Sequence, residues 1–133
     1  MEHLETQICL DTDFLVNFLR NKKEEVEFIE ENETRTIFST TSINLFELYY
    51  GAYKSGVAEN ILKLEELQQR LRILSTSKEA MKKAGEILMI LEKQGQLLDF
   101  RDLLIGTIAL TEKISLKTLN KKHFLRIPHL TVL

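Results

Sequence analysis

Short apolar, β-favouring runs alternate along this chain with stretches of helical periodicity, and that alternation constrains the fold more than any other feature. Thr6 to Leu10, Thr34 to Ser39, Leu71 to Leu74 and Ile114 to Thr118 read as strands, and Leu130 to Leu133 as a final short one. The intervening segments are too long for hairpin turns and repeat their apolar residues at helical spacing. Phe14, Leu15, Phe18 and Leu19 mark one helix, and Val26, Phe28 and Ile29 a second that ends near Asn32. Ser39 to Ser42 supplies N-cap residues for a helix from Ile43 to about Gly56, and Asn60 to Arg70 is amphipathic. Gly51 to Glu59 reads as a flexible helical arm. Ser77 caps a long helix with a C-terminal glycine at Gly95, and a helix from about Asp99 is apolar nearly all round. Strands joined by helices pair in parallel, so the expected fold class is α/β, a three-layer sandwich around a mainly parallel sheet. The 133 residues suit a single domain spanning 1–133.

Other classes are excluded by composition. No uncharged run approaches the roughly 18–20 residues of a membrane helix. The acidic, polar start Met1 to Glu5 is not a secretory signal. Cys9 is the only cysteine, so no internal disulfide or thiolate zinc cluster forms, and its apolar neighbours make it a core residue. A cytoplasmic protein fits these features. Net charge is −2, yet no acidic side chain follows Glu112, while Lys113, Lys117, Lys121, Lys122 and Arg126 do. A local basic surface near an acidic site suits an enzyme acting on a polyanion, and it also suits an ordinary solvated face.

The chemistry resides in acids placed where acids are awkward. Asp11 ends the apolar run Ile8-Cys9-Leu10, at the carboxyl end of a strand, where open α/β sheets bind their ligands. Glu47 interrupts the mostly apolar helix Ile43 to Tyr49, and Asp102 stands at the threshold of the most hydrophobic helix. Carboxylates among apolar neighbours are costly unless paired or bound to metal. Brought together they repel, and a hard cation such as Mg²⁺ or Mn²⁺ resolves the repulsion. Each acid also has a simpler role open to it. Asp11 suits an N-cap, Asp13 a first-turn acid answering the helix dipole, and Glu47 a solvent stripe. Asp99, three residues before Asp102, suits an N-cap as well as a metal ligand. Thr118 and Asn120 follow a strand as Asp11 does, and could orient a carboxylate or a water, or simply form a turn. His123, in a basic turn, reads as a surface residue.

Four blocks of this chain together resemble a PIN domain, and more narrowly the VapC toxins of toxin–antitoxin pairs. They are Ile8-Cys9-Leu10-Asp11-Thr12-Asp13; Ser42-Ile43-Asn44-Leu45-Phe46-Glu47-Leu48 with Gly51; Asp102-Leu103-Leu104-Ile105-Gly106-Thr107-Ile108-Ala109; and Thr118-Leu119-Asn120-Lys121-Lys122-His123-Phe124-Leu125-Arg126-Ile127-Pro128. The resemblance implies a metal-dependent ribonuclease with Asp11, Glu47 and Asp102 as its acidic core and Thr118 at a supporting hydroxyl position. Asn120 stands where the family carries a fourth acid, a departure that removes one charge and that Asp99 could partly offset. The resemblance further implies an antitoxin covering the groove, and homodimerisation. Lys121, Lys122 and Arg126 are then candidates to hold the RNA backbone, and the Leu45-Phe46-Leu48-Tyr49-Tyr50 face with Tyr53 a candidate for antitoxin or dimer contact.

Two alternatives compete. A haloacid-dehalogenase-like phosphatase also places Asp-x-Asp after its first strand, as in Asp11-Thr12-Asp13, with the second Asp as acid/base. Leu15, however, departs from that motif, and the chain is short for that fold. A non-catalytic PIN-like scaffold would account for Asn120.

Overall fold

A computed structural model describes residues 6–133; the expectations for Met1 to Glu5 lie outside the described residues. The elements are β1 (Thr6–Leu10), α1 (Thr12–Leu19), α2 (Lys23–Asn32), β2 (Thr36–Thr41), α3 (Ser42–Ser55) and α4 (Ala58–Gln68). They continue as β3 (Arg72–Leu74), α5 (Lys78–Lys93), α6 (Phe100–Thr111), β4 (Ser115–Lys117) and α7 (Lys121–Phe124). The sheet has the order β3-β2-β1-β4, and every pairing is parallel, as the helical connections require. Among the described residues no helix is long and apolar enough to cross a membrane.

The strand order positions the site. The chain steps outward from β1 to β2 to β3, then returns through α5 and α6 to place β4 on the other side of β1. The reversal falls between β1 and β4, and the crevice beyond the carboxyl ends of such a strand pair is the usual ligand position in these sheets. Asp11 follows β1 there and Thr118 follows β4. A backbone bond from Asp11 N–H to the Lys117 carbonyl (3.0 Å) fixes their relation.

Each face of the sheet has its own core. Ile8, Leu10, Phe14, Leu15, Leu48 and Leu64 fill the side covered by α1 to α4. Ile87, Leu91, Leu103, Ile108, Leu116 and Phe124 fill the side covered by α5, α6 and α7. Helix α6 buries Leu103 and every residue from Ile105 to Ala109, as its nearly continuous apolar run predicts. Cys9 is wholly buried, and burial pushes its thiol up to about 12, so it is a core side chain and not a nucleophile.

Gly106 is where α6 meets the C-terminal segment. A Cβ at that position would collide with Ile127 Cδ1 and crowd Leu130 and Phe124. Gly106→Val is expected to destabilise the protein by about 1–3 kcal/mol through overpacking, read from the denaturant midpoint. A midpoint equal to that of the parent would refute this close packing.

Two boundaries differ from expectation. Strand β2 continues through Ser39 and Thr40 to Thr41, where an N-cap cluster was expected. The buried hydroxyls of Ser39 and Thr40 donate to the carbonyls of Ile8 (3.4 Å) and Leu10 (2.7 Å), so hydroxyl residues are satisfied inside the sheet. Only Thr41 caps α3. The expected final strand at Leu130 to Leu133 reduces to a single parallel bridge between Leu116 and Val132. Pro128 and His129, the latter at φ 67°, turn the chain just before it and leave little length to pair.

Candidate active site

Asp11 stands at the N-cap position of α1, yet its side chain makes no cap bond. Its carboxylate faces the crevice side instead. Asn44 Nδ2 donates to Oδ1 (3.0 Å) and Thr118 Oγ1 donates to Oδ2 (2.7 Å). Only 6% of the residue is exposed. Burial raises its carboxyl to about 6, against the Thr118 hydrogen bond, and the charge of Asp13 adds to the rise. Both hydrogen-bonding side chains are neutral, so they orient the carboxylate without cancelling its charge.

Asn44 organises this corner. Its amide donates to Asp11 and to Thr12 Oγ1 (2.9 Å), and its carbonyl accepts from Thr41 N–H (3.1 Å) and Thr41 Oγ1 (2.7 Å). Its own N–H donates to Thr41 Oγ1, closing a capping box at the start of α3. Thr12 passes the order onward, donating to Glu47 Oε1 at 2.6 Å. The second Glu47 oxygen lies 3.6 Å from Arg101 Nη1.

Asp102 lies one turn into α6, with its Oδ2 3.5 Å from His123 Nδ1. Its carboxyl is raised by burial, with His123 acting against the rise and the charges of Asp99 and Glu47 adding to it. Glu47 is thus linked to the corner of Asp11 through Thr12 and Asn44, and its charge reaches Asp102.

The other sequence candidates are distributed around that trio. Asp99 caps α6, accepting from the N–H groups of Arg101 (2.9 Å) and Asp102 (3.4 Å). Asp13 accepts from Phe14 N–H (2.6 Å) and Leu119 N–H (3.2 Å), tying α1 to the loop after β4. The Asn120 N–H donates to Thr118 Oγ1 (3.0 Å), and its side chain meets His123 Nδ1 at 2.8 Å. Lys121, Lys122 and Arg126 are exposed, and Arg126 donates to the Leu97 carbonyl. Phe46, Tyr50 and Tyr53 are exposed on α3, but Leu48 belongs to the core and drops out of the contact face. Helical geometry turns it inward, beside Leu64 and Leu67.

Asn44, Thr12 and Arg101 carry roles that the sequence reading did not assign. Asn44 had a legible signal, since Asn three residues after Thr41 completes a capping box. Its reach to Asp11 had none, because that contact spans 33 positions.

The donor set fits a hard divalent cation. It consists of carboxylate oxygens, and the most buried of them carries charge unmatched by either hydrogen-bonding partner. Among the described residues no three His, Cys, Asp or Glu side chains are already gathered into one coordination shell. Asp11 is the preset member, while Glu47 rests on Thr12 and Arg101, and Asp102 beside His123. Asp13, whose carboxylate is engaged by two backbone N–H groups, is not placed as the acid/base of the phosphatase alternative. Glu47 also borders a groove of about 440 Å³ between α1, α3 and α4, whose walls are both apolar (Val16, Leu19 and Leu64) and polar (Arg20, Asn60 and Lys63).

Comparison with known proteins identifies the family of the chain. The family profile described as PIN domain matches residues 8–130. Ribonuclease VapC2 of Rickettsia felis is 39% identical over 106 residues, covering 79% of this chain and 77% of that protein. The tRNA(fMet)-specific endonuclease VapC of Salmonella typhimurium is 32% identical over 128 residues, covering 95% and 96%. Among solved structures, VapBC2 from Rickettsia felis bound to a promoter DNA fragment superposes with a TM-score of 0.89 at 32% identity, covering 96% of this chain and 98% of that one.

Proposed function

The chain belongs to the PIN-domain family, and from that premise we propose that it is a VapC-type endoribonuclease, the toxin of a toxin–antitoxin pair. It hydrolyses RNA phosphodiesters with Mg²⁺ or Mn²⁺ held by Asp11, Glu47 and Asp102. The observation that carries this reading is Asp11, a buried carboxylate at the β1/β4 crevice that is oriented by two neutral donors. A bound divalent cation supplies positive charge against the charge developing on the phosphate, and it lowers the pKa of a water.

The residues of the chain do the rest. Thr118 and Asn44 hold the two Asp11 oxygens, so that acid is aimed before substrate arrives, while Thr12 steadies one oxygen of Glu47. Lys121, Lys122 and Arg126 offer cations to the RNA backbone beside α7, and phosphate contacts of this kind position the strand. Initiator tRNA is the first RNA to test, because the Salmonella relative is named for it.

The antitoxin partner is proposed from the toxin–antitoxin neighbours, and the groove bordered by Glu47 would receive a segment of it that carries both apolar and polar side chains. Its occupation would also cover an acid of the site. Homodimerisation through the exposed Phe46, Tyr50 and Tyr53, and a cytoplasmic location, complete the proposal.

Chelation gives the direct test. Purified protein treated with EDTA is expected to leave initiator tRNA intact, and added MnCl₂ or MgCl₂ to restore a discrete cut. Cleavage that persists undiminished in EDTA would sink the metal-dependent reading.

A further inference from the structure

Among the described residues, four phenylalanine or tyrosine side chains are exposed: Phe46, Tyr50, Tyr53 and Phe100. The three on α3 are already paired along their own helix, Phe46 with Tyr50 and Tyr53 with Tyr49. Phe100 takes no part in those pairs. It is 65% exposed at the first position of α6, two residues before Asp102. Both residues lie within one helical turn, about 5.4 Å of axis.

Two contacts tie the segment from Leu97 to Asp102 to the segment from His123 to Arg126. Arg126 donates to the Leu97 carbonyl, and His123 Nδ1 lies 3.5 Å from Asp102 Oδ2. Leu97 and Leu125 are also exposed on these segments. This rim therefore presents an aromatic face and apolar neighbours together with the cations Lys121, Lys122 and Arg126. Asp99, the acid of the same turn, is occupied: it caps α6 and lies 3.8 Å from Arg101 Nε. Single-stranded nucleic acid is held by that combination, with aromatic faces for bases and a basic track for phosphates. A second copy of this chain, set face to face on the rim, would bring the same cations together, which like-charge repulsion opposes.

We propose that Phe100 is the platform on which an RNA base flanking the scissile phosphate stacks, so that the site takes an unpaired nucleotide there. The proposal rests on the ribonuclease reading above. A base inside a duplex has its faces covered by its neighbours, so only a nucleotide free of the stack can lie on a side chain. Every base has a π face, so Phe100 positions the strand and selects an unpaired nucleotide without reading sequence.

The test uses the RNA in which the parent makes its discrete cut with Mn²⁺, initiator tRNA being tried first and total RNA next. Phe100→Ala is expected to lower kcat/KM about tenfold. Phe100→Leu should lose as much, because leucine keeps apolar bulk without the π face. An exposed side chain leaves the fold intact, which circular dichroism checks. Placing an abasic nucleotide immediately 5′ or 3′ of the cut should, at one of the two positions, cost the parent about what Phe100→Ala costs, and cost Phe100→Ala nothing further. The chain holds no tryptophan, so Phe100→Trp adds a single fluorophore. It should still cut, with emission quenched by the RNA. Parental kcat/KM in Phe100→Ala or Phe100→Leu, or the same abasic penalty in parent and Phe100→Ala, would overturn the proposal. A Phe100→Ala variant changed only in oligomeric state would also overturn it, making the rim a protein contact. A parent that cuts no RNA would overturn the ribonuclease reading, and the proposal with it.

Discussion

Asp11→Asn is expected to reduce RNA cleavage to background and, at the same time, to raise the melting temperature of the metal-free protein. The two effects share a cause. The folded protein holds this carboxyl near 6, against 3.8 for the ordinary group, chiefly because burial disfavours its charge. A raised folded pKa means that the native state binds more protons than the unfolded chain between those two values. Stability of the metal-free protein therefore falls as pH rises from about 4 to about 6. Above that window the accumulated loss is about 3 kcal/mol. Asn carries no charge to desolvate. Its carbonyl still accepts from Asn44, and its amide can donate to Thr118, whose hydroxyl rotates to suit. At pH 7 the variant should melt roughly 10 °C above the metal-free parent. Added Mn²⁺ should narrow the gap, since only the parent gains stability by binding it. Cleavage by the parent should rise with pH as Asp11 loses its proton, because a protonated carboxyl is a poor ligand. A variant that melts below the metal-free parent, or that still cuts RNA, would contradict the role assigned to this residue.

Asn44→Ala should do the opposite to stability and weaken the same chemistry. The side chain is fully buried, with both donor and both acceptor positions engaged. Its removal strips a charge-assisted bond from Asp11, a bond from Thr12, and half of the capping box of α3. A buried hydrogen bond to a charged group contributes about 1.5–3 kcal/mol, and a lost cap costs about 1 kcal/mol. A total near 3–4 kcal/mol is expected in the denaturant midpoint. Because Thr12 then loses the partner that fixes its hydroxyl, Glu47 loses its guide as well. Metal affinity should drop roughly 10- to 100-fold, as for other residues that orient ligands. The affinity is to be measured at low temperature, where circular dichroism confirms that the variant is folded. Parental metal affinity in the folded variant would show that Asn44 supports only the helix start.

Arg101 sharpens the picture of Glu47. It bridges Glu47 (3.6 Å) and Asp99 (3.8 Å) from the first turn of α6. The pairing is half exposed, so it contributes little to stability. It does show that Glu47 has two partners, a hydroxyl and a guanidinium, where Asp11 has only neutral ones. The acids of this site are therefore not equivalent. Asp11 is pre-aimed and held at a cost, while Glu47 would have to exchange a partner to serve a cation.

The sequence by itself determined the layer architecture, because apolar runs separated by helices can pair only in parallel, through crossovers. It also singled out Asp11, Glu47 and Asp102, because charge among apolar neighbours is conspicuous without any coordinates. It placed Gly56 and Gly95 at helix ends, where both adopt positive φ. Tertiary structure decided the rest. Whether Asp11 capped its helix or faced the crevice depended on Thr118, which lies 107 positions away. The end of β2 depended on carbonyls of β1 that accept the Ser39 and Thr40 hydroxyls, and propensity carries no record of such partners. Asn44 and Thr12 are ordinary polar residues in sequence, and each took its place beside an acid through a long-range contact. Local periodicity reports which way a residue faces. The chemistry of this site arises from which residues meet, and that is set by the return of the chain to the far side of β1.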